Sequence, residues 1–311
     1  MTAANAASSP ADRKDLLQLA ALSREEIVAL LDAAARFAND PTAASQAKLT
    51  GKTLANLFFE ASTRTMRSFE LAAHRLGMYT LGFSSVGSST AKGESLLDTA
   101  KTIESMGVDA VVVRHACAGS AHLLARHVRV PVINAGAGRQ AHPTQGLIDL
   151  YTIRNRLGRL DDLHIAIVGD IRNSRVARSA LGGLSKFENS FSLVGPPTLV
   201  PRSFARHRVV ISHSLDDVLP DADVIMMLRV QRERLAGSAI SSVEEYAHLY
   251  CLSVARLAQC KPDAIVMHPG PFNRGVEIAS EVADGPRSTI LEQVAAGVPV
   301  RMAVLARALS H

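Results

Sequence analysis

Residues 58–65 read Phe-Phe-Glu-Ala-Ser-Thr-Arg-Thr and set the hydroxyls of Ser62, Thr63 and Thr65 around the guanidinium of Arg64. The apolar run at 54–59 predicts a buried strand, and the apolar spacing after residue 68 predicts a helix. A helix start has unpaired N–H groups and partial positive charge, so it attracts anions. Hydroxyls add donors, and a guanidinium can bind two phosphate oxygens. An ordinary serine cap is the alternative, but it leaves the arginine unexplained. We therefore expect an anion site.

Other polar side chains stand at the ends of further apolar runs. They are Arg114, His142, Gln145, Arg175, Arg229, Gln231, His268, Pro269, Gly270 and Pro271. In open parallel sheets, ligands bind beyond the carboxyl ends of the strands. One such arginine alone would be an ordinary surface charge. Arginines at several strand ends predict a substrate, or a pair of substrates, with several negative charges.

Strand and helix patterns alternate along the chain, which predicts an α/β fold with parallel sheets. The predicted strands are 54–59, 79–83, 108–113, 131–134, 163–168, 190–194, 209–212, 224–227 and 264–267. The predicted helices are 23–38, 95–106, 142–156, 174–186, 243–258 and 289–309. Ser23 and Glu26 form a candidate capping box at the start of the first helix.

A length of 311 residues favours two domains. We expect two lobes, each a parallel β-sheet flanked by helices, with the active site in the cleft between them. The first lobe would comprise residues 1–140 together with a returning C-terminal helix at about 290–311. The second would comprise residues 141–289.

Composition disfavours several classes of protein. The formal net charge is +5, only 4% of residues are aromatic and Trp is absent, so a small anionic substrate is favoured over nucleic acid. No apolar run reaches the roughly 18 residues that a membrane helix needs. The first twelve residues lack the pattern of a signal peptide, and we expect a cytoplasmic protein.

The sequence indicates neither a metal nor an organic cofactor. The cysteines are Cys117, Cys251 and Cys260. They form no Cys-x-x-Cys pair, and the neighbours His115, Cys117 and His122 need not converge on a metal. The strand that ends before Gly169 is not followed by Gly-x-Gly-x-x-Gly, which disfavours a nicotinamide enzyme, and a Walker-type loop is absent.

Five motifs, in order and spacing, resemble those of the aspartate/ornithine carbamoyltransferase family. They are residues 58–65, Lys-Gly-Glu at 92–94, His-Pro-Thr-Gln at 142–145, Val-Gly-Asp at 168–170 and His-Pro-Gly-Pro at 268–271. The range from the first to the last motif, about residues 50–280, extends over most of the chain. The resemblance implies that a carbamoyl group is transferred from carbamoyl phosphate to an amine, with no cofactor and no metal.

The acceptor implied by the resemblance is aspartate. Arg-Val-Gln at 229–231, the following Arg-Glu-Arg-Leu and the stretch 268–278 resemble the aspartate branch. Ornithine enzymes typically have Ser-Met-Gly near the position of Arg229, whereas here this tripeptide occurs only at 105–107. Arginines suit the two carboxylates of aspartate and would repel the side-chain cation of ornithine.

The expected reaction converts carbamoyl phosphate and L-aspartate into N-carbamoyl-L-aspartate and phosphate, the committed step of de novo pyrimidine (UMP) biosynthesis. Two alternatives stay open. One is transfer to ornithine or a modified ornithine, and the other is a non-enzymatic homologue that acts as a regulatory or scaffolding subunit.

The resemblance also implies a role for each site residue. Carbamoyl phosphate would contact Ser62, Thr63, Arg64, Thr65, Arg114, His142, Gln145, Gly270 and Pro271. Aspartate would contact Lys92, Arg175, Arg229 and Gln231. The catalytic donors to the carbonyl oxygen would be Arg64, Thr65, Arg114 and His142, although His142 could instead be a general base.

A mobile loop that carries Ser88 and Lys92 would reach the active site of a neighbouring subunit. This implies a homotrimer with shared sites. Whether regulatory or dihydroorotase-like chains join it stays open.

The pair Met66-Arg67 departs from the family pattern, in which an arginine directly follows Ser-Thr-Arg-Thr. Displacing the arginine by one helical position turns its side chain by about 100°. We expect it to alter helix packing or surface charge and to leave catalysis intact.

Overall fold

The chain folds into two compact units, and the computed structural model describes residues 13–84, 94–230 and 240–310. The first unit comprises Met1–Leu147 and Gly297–His311, and the second comprises Ile148–Ala296. The sequence places the boundaries near residues 140 and 290, a few residues before these divisions. The divisions fall inside two helices, Pro143–Leu157 and Ile290–Leu309.

The first unit contains a parallel sheet. Its strands are β1 (Thr53–Phe58), β2 (Tyr79–Ser84), β3 (Ala110–His115) and β4 (Val132–Ala137), in the order β2-β1-β3-β4. Its helices are α1 (Arg24–Asn39), α2 (Ala43–Gln46), α3 (Thr63–Arg75), α4 (Leu96–Ser105), α5 (Ser120–His127) and the start of α6 (Pro143–Leu157).

The second unit contains another parallel sheet. Its strands are β5 (His164–Val168), β6 (Ser190–Val194), β7 (Val209–Ser212), β8 (Val224–Met227) and β9 (Ile265–Met267), in the order β7-β6-β5-β8-β9. Its helices are α7 (Arg175–Leu184), α8 (Val243–Tyr250), α9 (Val254–Leu257), α10 (Ser280–Ala283) and α11 (Ile290–Leu309), which ends in the first unit. The predicted fold class, two parallel sheets flanked by helices, is confirmed.

Apolar side chains cover both faces of the central strands. In β1, Ala55 and Leu57 pack with Leu124 of α5, while Leu54 is fully buried on the opposite face of the strand. Every residue of β8 is buried. Parallel sheets require burial on both faces, so polar side chains are left to the strand ends.

Serine caps start many of the helices. At α1 the predicted capping box is present, with Glu26 N–H donating to Ser23 Oγ at 3.2 Å and Ser23 N–H donating to Glu26 Oε2 at 2.9 Å. The same bond from the third helical residue to a serine hydroxyl starts four further helices. Those capping serines are Ser95, Ser174, Ser242 and Ser253.

The predicted helix at 243–258 is wrong in one respect, because the structure has two helices, α8 and α9, in its place. The chain is extended at Cys251, and Leu252 N–H donates to the carbonyl of Glu277 at 3.0 Å. Ser253 then caps α9. A backbone bond to a distant segment, which periodicity cannot reveal, therefore interrupts the helix.

In the part of the chain that the structure describes, no helix has the length and apolar character of a membrane span.

A histidine at the amino-terminal edge of the second sheet makes stability depend on pH. The His164 ring nitrogens Nδ1 and Nε2 lie 2.9 Å from the hydroxyls of Ser190 and Ser192, respectively. Burial lowers the pKa of His164 below its ordinary value of 6.5; the carboxylate of Asp221 opposes this shift, and Lys261 reinforces it. The unfolded chain therefore binds this proton at a higher pH than the folded chain. Above pH 6.5 the free energy of unfolding does not depend on this group, and it falls as the pH drops below that value.

We expect the substitution His164→Gln to remove part of this loss of stability below about pH 6.5, because glutamine has no proton to gain. Urea unfolding at a series of pH values measures the effect. The matched control is His248→Gln, on an exposed position of α8, and it should follow the wild-type profile. A His164→Gln profile parallel to the wild type across this range would contradict the prediction.

Candidate functional site

Each sheet has a point at which the direction of strand addition reverses. In the first unit the chain moves from β1 outward to β2, and later from β3 outward to β4 on the other side. In the second unit the same reversal lies between β5 and β8. Loops that leave neighbouring strands in opposite directions open a crevice at the carboxyl ends, where α/β proteins bind ligands. The predicted site residues that the structure describes lie on the loops at or beside these two reversals.

The segment after β1 differs from an ordinary helix start. Ser62 occupies the N-cap position of α3, yet its side chain makes no capping hydrogen bond, and its backbone (ψ 76°) differs from the extended backbone of Ser23 (ψ 167°). Thr63 and Arg64 are exposed, whereas Thr65 is buried in the first turn. The cap alternative therefore does not describe Ser62, and the start of α3 presents donors that suit an anion.

Arg114 lies next to this segment, at the end of β3. In the register of the sheet Phe58 pairs with Arg114, and Phe59 N–H donates to the Arg114 carbonyl at 2.8 Å. The Arg114 guanidinium donates from Nη1 to the carbonyl of Ala135 at 3.1 Å, and its Nε lies 3.7 Å from Glu60 Oε2. The side chain is thus held at the carboxyl edge of the sheet, between the ends of β1 and β4.

His142 and Gln145 follow β4, at the start of α6. His142 is buried, its carbonyl accepts the Gln145 N–H at 3.0 Å, and its Nδ1 lies 3.4 Å from the hydroxyl of Thr144. In a neutral imidazole whose Nδ1 accepts a hydrogen bond, the hydrogen is on Nε2. With this tautomer, His142 is suited to donate a hydrogen bond from Nε2.

In the second unit, a tight turn after β5 leads into α7. Gly169 has a φ of +122°, and a Cβ there would lie 2.9 Å from the carbonyl oxygen of Leu228, so only glycine fits between β5 and the end of β8. The buried Asp170 carboxylate accepts both the backbone and the side-chain N–H of Asn173 at 3.0–3.1 Å. This turn sets the position of Arg175, the first residue of α7, which is 7% exposed.

Arg229 and the 268–271 turn complete the second group. Arg229 is half-buried and follows β8, where Leu228 N–H donates to the Val168 carbonyl at 2.8 Å. His268 is buried after β9, and its Nδ1 accepts the Gly270 N–H at 2.9 Å. The Gly270–Pro271 peptide bond is cis.

The predicted residues thus form two groups, one in each unit. Those of the first unit are Ser62, Thr63, Arg64, Thr65, Arg114, His142 and Gln145, and those of the second are Arg175, Arg229, Gly270 and Pro271. Ser88, Lys92 and Gln231 lie outside the described residues. Their roles, and the roles of the others, stay predictions.

The displaced arginine of α3 points to solvent. Arg67 is exposed, and its Nη1 lies 2.8 Å from Glu70 Oε2, one helical turn onward. An exposed pair of this kind contributes little to stability. Glu70 thus gives the charge of Arg67 a local partner away from the start of the helix.

The sequence motif of His115, Cys117 and His122 does not form a metal site in the structure. Nδ1 of His115 accepts the Cys117 N–H at 2.9 Å, and the ring packs on Phe59, with 5.3 Å between the ring centroids. Among the described residues, no group of three or more His, Cys, Asp or Glu side chains is arranged to hold a metal ion.

Two buried charged residues were not anticipated from the sequence. Arg301 of α11 lies with its guanidinium 5.1 Å from the ring centroid of Phe69 in α3, and burial lowers the pKa of Arg301 to about 9. Glu277 is fully buried beside the Arg229 segment. The local sequence carries no signal that separates either residue from a surface charge.

Two family models match the chain. The model of the carbamoyl-P binding domain of aspartate/ornithine carbamoyltransferase matches residues 14–155, and that of the Asp/Orn binding domain matches residues 161–308. The chain is 52% identical over 292 residues to the aspartate carbamoyltransferase catalytic subunit of Parafrankia sp. (strain EAN1pec), covering 93% of this chain and 94% of that protein. It is 49% identical over 298 residues to the protein of the same name from Syntrophus aciditrophicus (strain SB), covering 94% and 96%.

Solved structures are similar over nearly the whole chain. The aspartate transcarbamoylase of Trypanosoma cruzi, in complex with carbamoyl phosphate and aspartate, matches with a TM-score of 0.87 and 32% identity, covering 96% of this chain and 97% of that chain. The catalytic subunit of M. Jannaschii aspartate transcarbamoylase matches with a TM-score of 0.83 and 36% identity, covering 95% and 98%.

The helix start of α3 can be tested with inorganic phosphate as the ligand. We expect Arg64→Gln to weaken phosphate binding by about tenfold to a hundredfold, because a hydrogen bond to a charged group contributes about 1.5–3 kcal/mol. Titration calorimetry at low salt measures the dissociation constant. The matched control is Arg67→Gln, which removes the same charge one turn away and should leave the constant unchanged. Equal weakening by both substitutions would mean that only the general positive charge of the helix matters.

Proposed function

This chain belongs to the aspartate/ornithine carbamoyltransferase family, and we propose that it transfers the carbamoyl group of carbamoyl phosphate to L-aspartate. The products are N-carbamoyl-L-aspartate and phosphate, and the reaction commits carbon and nitrogen to de novo pyrimidine (UMP) synthesis. One observation carries the proposal. The reversal point of one sheet has hydroxyls and arginine at a helix start, and that of the other has two arginines, Arg175 and Arg229.

The first unit is proposed to bind carbamoyl phosphate. The N–H groups at the start of α3, with the hydroxyls of Ser62, Thr63 and Thr65, would surround the phosphate, and Arg64 would bind two of its oxygens. Gln145 would contact the carbamoyl group. Support comes from the absence of a capping bond at Ser62, since the hydroxyl is not used to start the helix.

Catalysis is proposed to rest on donors to the carbamoyl oxygen. The neutral α-amine of aspartate attacks the carbamoyl carbon, a tetrahedral intermediate forms, and the C–O bond to phosphate breaks as the amine proton passes to the departing phosphate. Negative charge develops on the former carbonyl oxygen, and Arg64, Thr65, Arg114 and His142 would stabilise it. Loss of one such donor typically costs about 10²–10³ in rate. The donor role requires the tautomer in which Nδ1 of His142 accepts the Thr144 hydroxyl hydrogen, and the 3.4 Å between these atoms is compatible with it.

The second unit is proposed to bind aspartate. Arg175 and Arg229 would each pair with one carboxylate, and Gln231 would assist Arg229. Carbonyl groups of the turn at Gly270 and Pro271 would accept hydrogen bonds from the carbamoyl NH₂ and orient it. A substrate with a side-chain cation would be repelled by Arg229, which favours aspartate over ornithine.

A homotrimer with shared active sites is proposed as the working assembly. Ser88 and Lys92 would enter the site of a neighbouring subunit, with Lys92 binding substrate there. Regulatory or dihydroorotase-like chains could join the trimer without any change to this chemistry. The proposed location is the cytoplasm, and the proposed reaction needs no cofactor, because carbamoyl phosphate is already an activated donor.

Substrate choice is the direct test of the proposed function. With carbamoyl phosphate present, we expect the purified chain to form N-carbamoyl-L-aspartate and phosphate in equal amounts, and to form no citrulline from L-ornithine. Chromatography of both amine products, with phosphate release, measures this. An Arg64→Ala chain purified in the same way controls for contaminating enzyme. Product from ornithine alone would overturn the proposal, and product from neither amine would favour a non-enzymatic homologue.

The shared site predicts complementation between two inactive variants. Each of Lys92→Ala and Arg64→Ala should be inactive alone. After the two chains are dissociated and reassembled together, activity should return, because some sites receive an intact Arg64 from one chain and an intact Lys92 from its neighbour.

The control mixture pairs Arg64→Ala with Arg114→Ala. Both substitutions affect residues that one chain supplies to one site, so no site in a hybrid is intact and activity should stay absent. Hybrid trimers of Lys92→Ala and Arg64→Ala that form normally yet stay inactive would argue against shared sites.

A further inference from the structure

Glu277 links two segments of the second unit through its buried carboxylate. The side chain is fully buried, and three N–H groups donate to it. Oε1 accepts the Val230 N–H at 3.0 Å and the Asn273 side-chain N–H at 2.9 Å, while Oε2 accepts the Asn273 backbone N–H at 2.7 Å. One charged group therefore joins the chain after β8 to the chain after β9.

Both linked segments carry residues of the proposed site: Arg229, proposed to bind aspartate, and the Gly270–Pro271 turn, proposed to orient the carbamoyl NH₂. Val230 directly follows Arg229, and Asn273 lies two residues after Pro271. The backbone of Glu277 is itself fixed, because its carbonyl accepts the Leu252 N–H at 3.0 Å. A shift of Glu277 would thus be transmitted to the arginine and to the turn together.

Packing alone does not account for an acidic residue at this position. A buried carboxylate is costly unless it is fully hydrogen-bonded, and an apolar side chain would fill the same space without that cost. The charge acts on its surroundings as well: burial, followed by the charge of Glu277, raises the pKa of the Tyr246 hydroxyl. Charge-assisted bonds are shorter and more directional than neutral ones, and this suits a group that must hold two loops in one geometry.

We propose that Glu277 is a positioning residue, which holds Arg229 in the geometry that binds aspartate and holds the Gly270–Pro271 turn beside it in the geometry that orients the carbamoyl NH₂. The proposal rests on the proposed carbamoyl transfer to aspartate. It assigns to Glu277 no contact with either substrate. The hydrogen bonds of its carboxylate all lie in the second unit, so phosphate binding at the start of α3 should not depend on it.

The substitution Glu277→Gln tests the link at constant size. The glutamine amide oxygen can take the place of Oε1 and accept the Val230 N–H, or take the place of Oε2 and accept the Asn273 backbone N–H. In either case the amide NH₂ of the glutamine faces another donor. We expect the KM for aspartate to rise by about tenfold or more, as loss of a hydrogen bond to a charged group implies. The KM for carbamoyl phosphate should rise much less, because the phosphate contacts proposed at α3 do not depend on Glu277 and only the contact of the 270–271 carbonyls with the carbamoyl NH₂ does. Arg229→Ala should show the same separation of the two constants, with a larger rise.

The matched control is Glu281→Gln, an exposed position of α10 one turn onward. It should leave both constants unchanged. If Glu277→Gln does not fold, Asn273→Ala removes a single donor from a half-exposed position, and it should raise the KM for aspartate modestly and the KM for carbamoyl phosphate less.

Three results would overturn the positioning role. They are a lower Tm of Glu277→Gln with an unchanged KM for aspartate, an equal rise in both KM values, or, where only Asn273→Ala folds, no change in the KM for aspartate. Each of these presupposes an active wild-type chain. A wild-type chain that forms no N-carbamoyl-L-aspartate would instead refute the proposed function, and the role of Glu277 with it.

Discussion

A parallel sheet is buried on both faces, and this constraint decides where the chain can carry reactive side chains. The interior of the strands must be apolar, as in β8, so polar residues are left to the strand ends. Parallel connections bring the carboxyl ends of all strands to one edge, and a crevice opens where the strand order reverses. Arg64 and Arg114 lie on either side of that reversal in the first unit, and Arg175 and Arg229 do so in the second.

The strand order brings the loops together at one edge of each sheet, and buried polar groups hold these loops in their conformations. Asp170 closes the turn that precedes α7, and Glu277 holds the chain that follows Arg229. After β9, His268 N–H donates to Gln293 Oε1 at 2.9 Å, which ties the start of the 268–271 turn to α11. A buried polar group is costly unless it is bonded, so each of these residues can adopt few arrangements. The cost of burial is therefore what makes the geometry of the loops specific.

Local signals explain why much of this fold could be predicted from the sequence. The run at 190–194 matches its strand residue for residue, and the capping box of Ser23 is present, because both depend on neighbours in sequence. The break between α8 and α9 could not be predicted, since it follows from the bond of Leu252 to Glu277, 25 residues further along. Glu277 was missed for the same reason: its partner Val230 is 47 positions away. Motifs could identify the residues expected to contact substrate but not those that hold them.

Ser62 shows that a serine placed before a helix need not act as its cap. Ser23 and Ser62 stand at the same position before a helix, and local sequence predicts a cap at both. Ser23 has an extended backbone that aims its hydroxyl at the helix, whereas Ser62 does not and makes no such bond. The chain reaches Ser62 from β1, whose exit is held by the bond of Phe59 N–H to the Arg114 carbonyl. A contact across the sheet thus fixes the strand end from which the chain enters α3, and the same contact places Arg114 beside that helix start.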